Sequence, residues 1–197
     1  MVLPTKDPDE IAKTLIESLE KNDSLQRRHA SFWNFYKKTS KELGIFSEIF
    51  DRFEQDYGAK VIGWGLTEND PPDIFAKLDD DRTIGIEITE LVSEAAIHAQ
   101  INQPELYPSM LLRFDFDQAV TELRQIIARK GTKLSSVSEP YDEFALLIHT
   151  DEFMLTSNQF ATNNHGITLD IAPIISRIYL LFSYEPANQT CPLIRLA

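Results

Sequence analysis

Residues 71–89, PPDIFAKLDDDRTIGIEIT, constrain this chain more than any other segment. Even-numbered positions are apolar on both sides of an acidic centre: Ile74, Ala76 and Leu78 before it, Ile84, Ile86 and Ile88 after it. Strand side chains alternate faces with period two, so each arm carries one apolar and one mixed face. The segment therefore reads as a β-hairpin. Its two apolar faces coincide only if the turn around residues 79–81 holds an odd number of residues, as three- and five-residue hairpin loops do. The same register puts Asp73 and Glu87 together on the mixed face. As direct cross-strand partners their Cβ atoms would lie roughly 5 Å apart. Two carboxylates that close on a partly covered face either repel one another or share a cation.

At 197 residues the chain is long enough for one domain with a substantial core, and its 43% hydrophobic and 25% charged content places it with globular proteins. A formal net charge of −12 opposes nonspecific adhesion to nucleic acid, while leaving room for a locally basic groove. The acidic runs at 7–10, 79–81 and 115–117 read as solvated surface. The single cysteine, Cys191, lies between Thr190 and Pro192 and cannot form an internal disulfide, which fits a reducing compartment. No neighbour in sequence marks it as an activated thiolate. The first ten residues lack the apolar core of a signal peptide, and no apolar run approaches the ~20 residues that span a membrane. The expectation is a soluble, cytoplasmic protein with no membrane partner.

The first third reads as helical. Pro8 opens a helix with the stripe Ile11, Leu15, Ile16 and Leu19, ending near Asn22. A second runs over 24–38, and a third over 40–57 with Phe46, Ile49, Phe50, Phe53 and Tyr57 at helical spacing and Gly58 as its stop. Glu42 sits on that stripe one turn before Phe46. Residues 60–66 form a short strand, a turn-rich stretch follows, and then the hairpin. Residues 92–116, broken by Pro104 and Pro108, read as a short helix plus a loop. A helix over 116–130 turns Val120, Leu123 and Ile127 inward and ends at Gly131. Residues 143–150 and 177–184 are continuous apolar strands of the kind buried within a covered sheet. A short helix is expected over 167–175. The fold class is α/β: a mixed central sheet flanked by helices, with residues 1–39 as an N-terminal helical extension on a domain spanning 40–197.

This order, with Pro72-Asp73 and Gly85-Ile86-Glu87-Ile88-Thr89, resembles the PD-(D/E)xK, or restriction-endonuclease-like, nuclease superfamily. Its common core is a helix, a three-stranded meander, a helix and a strand, and the resemblance covers roughly residues 40–150. The resemblance implies that Asp73 and Glu87 bind Mg²⁺, with Glu42 as the assisting helical acid, and that the chemistry is phosphodiester hydrolysis. Magnesium suits a site of few carboxylates that retains several waters. The pattern departs at Thr89, which stands where the family places a Lys that activates water and holds phosphate. A Thr offers only neutral hydrogen bonds. Lys77 is a poor substitute, roughly 13 Å along the strand from Asp73 at ~3.3 Å per residue. Lys130 is a better one, spaced with Leu123 and Ile127 on an inward helical stripe, although a Lys in a last turn also complements the helix dipole.

Two further features stay open. Arg27, Arg28, Lys37 and Lys38 interleave with Phe32, Trp33, Phe35 and Tyr36, either as a nucleic-acid surface or as aromatic core or oligomer contact with solvated ends. The four histidines lack ligand-like spacing, which argues against zinc. Three functions compete: a metal-dependent nuclease acting on DNA or RNA; a non-catalytic protein of the same fold that binds a protein or nucleic-acid partner; and an interaction protein without nuclease ancestry. Thr89 favours the second, and the paired acids favour the first.

Overall fold

The structure is a computed structural model and describes residues 30, 37–163, 167–186 and 189–197. The helix expected over 8–22 lies outside the described residues, as does the one over 24–38 except at Ala30, which stands in a turn at φ 48°, and at its end, where Lys38 belongs instead to the next helix. In chain order the elements are α1 (Lys38–Tyr57), β1 (Val61–Leu66), β2 (Ile74–Leu78), β3 (Thr83–Glu90), α2 (Glu94–Asn102), α3 (Tyr107–Arg113), α4 (Phe116–Leu134), β4 (Glu143–Thr150), α5 (Ser157–Asn163), β5 (Ile175–Phe182) and β6 (Leu193–Arg195). The six strands form one sheet in sequence order. Pairs β3/β4 and β4/β5 are parallel and the others antiparallel, so the sheet is mixed, as the apolar runs of β4 and β5 imply. No helix among the described residues is long and apolar enough to cross a membrane.

The hairpin register follows from alternation. Ile74 pairs with Ile86, Ala76 with Ile84 and Lys77 with Thr83. Leu78 N–H donates to Arg82 C=O, which closes a three-residue loop of Asp79, Asp80 and Asp81, the last at φ 71°. The even face is buried beneath α1, where Phe46, Ile49 and Phe53 meet Ile74, Ala76, Ile84 and Ile86. Each such fully buried large side chain contributes about 2 kcal/mol relative to exposure. Gly58, at φ 64°, ends α1 in the left-handed conformation and returns its N–H to the carbonyls of Glu54 and Gln55. The opposite face of the sheet packs under α4 and α5, with Leu123, Ile126, Ile127 and Phe160 against Phe144, Leu146, Ile148 and Leu180. Alternate residues of β4 and β5 supply both cores, giving three layers.

Several expectations are corrected. Helix α4 continues through Gly131 to Leu134. That glycine is a packing position: a Cβ there would stand 2.7 Å from Ala172 Cβ. Residues 92–116 hold two helices instead of one. Ser93 caps α2 by accepting from Ala96 N–H, and Pro108 sits in the first turn of α3, where no backbone donor is needed. The helix expected over 167–175 is absent; Ile167, Leu169 and Ile171 instead pack onto the second core as irregular chain. The helix of that region is α5, introduced by a reciprocal cap between Thr156 and Gln159. Strand β5 begins and ends two residues earlier than the apolar run suggests, and the edge strand β6 has no counterpart in the sequence pattern.

Candidate metal centre

Strand β3 extends beyond the last paired residue of β2, which leaves the Ile88 N–H without a strand partner on that side. It donates to Asp73 Oδ2 at 2.8 Å. This bond fixes the Asp73 carboxylate at the mouth of the hairpin, next to Glu87. Asp70, three residues earlier in the proline-rich turn, reaches the same place. One oxygen from each of Asp70, Asp73 and Glu87 lies within 4.8 Å of the others. Asp73 and Glu87 are buried, whereas Asp70 is exposed.

Three lysines face these acids. Lys130, on the inward side of α4, places its ammonium 2.5 Å from Glu87 Oε1. Lys133, one turn on, lies 2.6 Å from Asp70 and 3.6 Å from Glu87. Lys38, at the start of α1, reaches Asp70 at 2.9 Å, Asp73 at 3.0 Å and Glu42 at 3.2 Å. Glu42 therefore joins the cluster through Lys38, on the opposite side from Lys130. Because α4 runs to Leu134, the last-turn base is Lys133, and the dipole explanation does not account for Lys130. Thr89 lines a small cleft of about 190 Å³ with Lys38, Lys41, Glu42 and His149. Lys77 is exposed.

The electrostatics follow from this crowding. Burial, then the Asp73 charge, pushes the Glu87 carboxyl above the usual range, while Lys130 and Lys133 pull it back. Asp70 is held down at about 2 by its hydrogen bond to Lys133 and then by Lys38. Burial opposes the charge on Lys38, but its hydrogen bonds to Asp70 and Asp73 outweigh that and raise its pKa. Burial and the Asp73 charge push Glu42 up to about 7 against the pull of Lys38. Glu42 thus binds its proton more tightly folded than unfolded. Between pH 4.5 and about 7 the native state carries the extra proton, and stability falls as pH rises through that window. With EDTA present, Glu42→Gln is expected to flatten this decline. At pH 8 the variant should be about 1 kcal/mol more stable than the parent. That is less than the roughly 1.4 kcal/mol that each tenfold gain in proton affinity would give, because the variant also loses the ion pair with Lys38. Denaturant melts across that range check it.

The donor set fits a hard divalent cation. All three groups are carboxylates, and Glu87 Oε2 is buried with no hydrogen-bond partner. A cation at the cluster would satisfy that oxygen. The sequence pointed to Asp73, Glu87, Glu42, Thr89 and Lys130; the structure brings Asp73, Glu87 and Lys130 together, while Glu42 stands outside the three-carboxylate set, beyond Lys38, in the cleft that Thr89 lines. It adds Asp70, Lys38 and Lys133. Signals for the two lysines existed: Lys38 is four residues before Glu42, and Lys133 is three after Lys130, each one helical turn away. By contrast, the free Cys191 is buried, and burial pushes its thiol up to about 12, which leaves it inert. Compared with protein-family models, with curated proteins and with solved structures, the chain matches none.

Proposed function

We propose that this protein is a metal-dependent phosphodiesterase of the PD-(D/E)xK kind, acting on nucleic acid, in which Lys130 takes the part that Thr89 cannot. The observation that carries this reading is the Asp73–Glu87 pair with the Lys130 ammonium 2.5 Å from Glu87. The order of α1, the β1–β3 meander, α4 and β4 supports it, because it repeats the core order that the sequence resemblance implies. Asp73, Glu87 and Asp70 would hold Mg²⁺, and Glu42 would assist from α1. When bound there, the cation supplies a water of lowered pKa and screens charge on the phosphate. Lys130, held in place by α4 and largely shielded from water, would set its side-chain nitrogen beside the reacting phosphate. Lys38 and Lys133 are more exposed and can turn from carboxylate to phosphate oxygens.

Incubation with single- and double-stranded DNA and RNA, with Mg²⁺ or Mn²⁺ and with EDTA, tests the reading. Cleavage that requires the ion and stops with EDTA is the expected result. No cleavage of any substrate with either ion overturns it. Binding without cleavage would favour the alternative, a partner-binding protein of the same fold, which Thr89 at the usual Lys position supports.

A further inference from the structure

Beside the carboxylate cluster, on the same face of the hairpin, the structure holds a cavity of about 340 Å³. Phe75, Pro140 and Tyr141 line it together with Thr67, Asn69 and Thr83. Phe75 follows Asp73 by two strand positions, so the cavity begins roughly 7 Å from the Asp73 backbone. The two features also share a loop: Asn69 lines the cavity and Asp70 the cluster.

The walls are fixed before any ligand arrives. Asn69 Nδ2 donates to Glu139 Oε1 at 2.5 Å, tying the β1–β2 loop to the α4–β4 loop. The Thr67 hydroxyl donates to the Asn69 and Pro72 carbonyls and holds the first loop in shape. The Tyr141 ring packs on Phe144 with centroids 5.3 Å apart, which limits its rotation. Charge divides the region sharply. Lys38, Lys130 and Lys133 surround the cluster, whereas Glu68 and Glu139 border the cavity. The three lysines are paired with the carboxylates, so a cation bound at the cluster would tip that end positive and favour a phosphate there, whereas the charged residues lining the cavity end are acidic. The complementary ligand is anionic at one end and carries a flat, uncharged ring with hydrogen-bonding edges at the other.

We propose that this cavity receives the nucleobase of the nucleotide whose phosphate lies at the carboxylate–lysine cluster, with Tyr141 as the stacking surface. The proposal rests on the phosphodiesterase reading for the phosphate end. It implies an unpaired or extruded base, since a base held in a duplex cannot enter a walled cavity.

The test is calorimetric binding of 5′-nucleoside monophosphates and of ribose 5-phosphate, in Mg²⁺ and in EDTA. Base stacking on an aromatic side chain predicts about tenfold tighter binding of the nucleotides. Tyr141→Ala should remove that tenfold and leave ribose 5-phosphate unchanged, and Tyr141→Phe should keep it. Tyr141→Leu keeps an apolar side chain against Phe144 while removing the ring face, and should behave as Tyr141→Ala. Equal or undetectable affinity for the two ligand types in the parent overturns the proposal, as does a preference that survives Tyr141→Leu. The two readings fail separately. A metal-induced rise in stability without base preference refutes the cavity assignment alone. Base preference lost in Tyr141→Leu, with no metal effect, upholds the cavity and refutes the metal site.

Discussion

Lys130→Met is expected to destabilise the protein by about 3–5 kcal/mol at pH 8, the usual cost of removing one partner of a buried ion pair. The Glu87 side chain is 1% exposed and its Oε1 rests on the Lys130 ammonium at 2.5 Å. Without that ammonium, Glu87 keeps Lys133 at 3.6 Å and the repulsion of Asp73. Its pKa, already raised by burial, rises further, so at low pH the carboxyl takes up a proton and the penalty shrinks. The loss should therefore grow as pH rises above the ordinary carboxylate range. Glu87→Gln in the same chain should restore most of the stability, because the uncompensated charge is gone. A double-mutant cycle separates this from lost packing of the lysine stem, which no change at position 87 would repair. If the protein is the phosphodiesterase proposed above, cleavage should fall by roughly a hundredfold or more and should not return in the double variant.

Asp73→Asn should separate structure from chemistry. The amide carbonyl of the variant can accept the Ile88 N–H as Asp73 Oδ2 does, so stability should stay within about 1 kcal/mol of the parent. The charge that would hold the cation is lost. With about 1.4 kcal/mol worth a factor of ten, removing several kcal/mol of transition-state stabilisation predicts a loss of roughly a thousandfold in cleavage. An Asp73→Asn variant that keeps half of the parent's activity would place the chemistry elsewhere.

The hairpin was legible because period-two alternation on both arms left few registers, and its partner faces had to coincide. That register alone put Glu87 beside Asp73. Helix α1 was legible from its aromatic stripe and Gly58. What escaped had physical reasons. Gly131 looks like a stop because glycine so often ends helices, but here tertiary packing against Ala172 overrides the local signal. Ending the helix there hid Lys133, which the extra turn carries to Asp70. Asp70 lies in a proline-rich turn with no periodicity, and only the folded loop brings it to the cluster. Helix α5 was missed although Thr156 and Gln159 form a capping pair, because the apolar residues after it suggested a later start. The short β6 has three residues and borrows its order from β5.

Whether Asp70, Asp73 and Glu87 form a cation site is decided by thermal melts of the parent and of the Asp73→Ala/Glu87→Ala variant across Mg²⁺ and Mn²⁺ concentrations. A ligand that binds only the native state stabilises it by an amount set by its concentration relative to its dissociation constant, about 2.7 kcal/mol at a hundredfold excess. The parent midpoint should climb steadily with either ion while the double variant stays flat. No shift in the parent, or a shift that persists in the double variant, would contradict the metal centre.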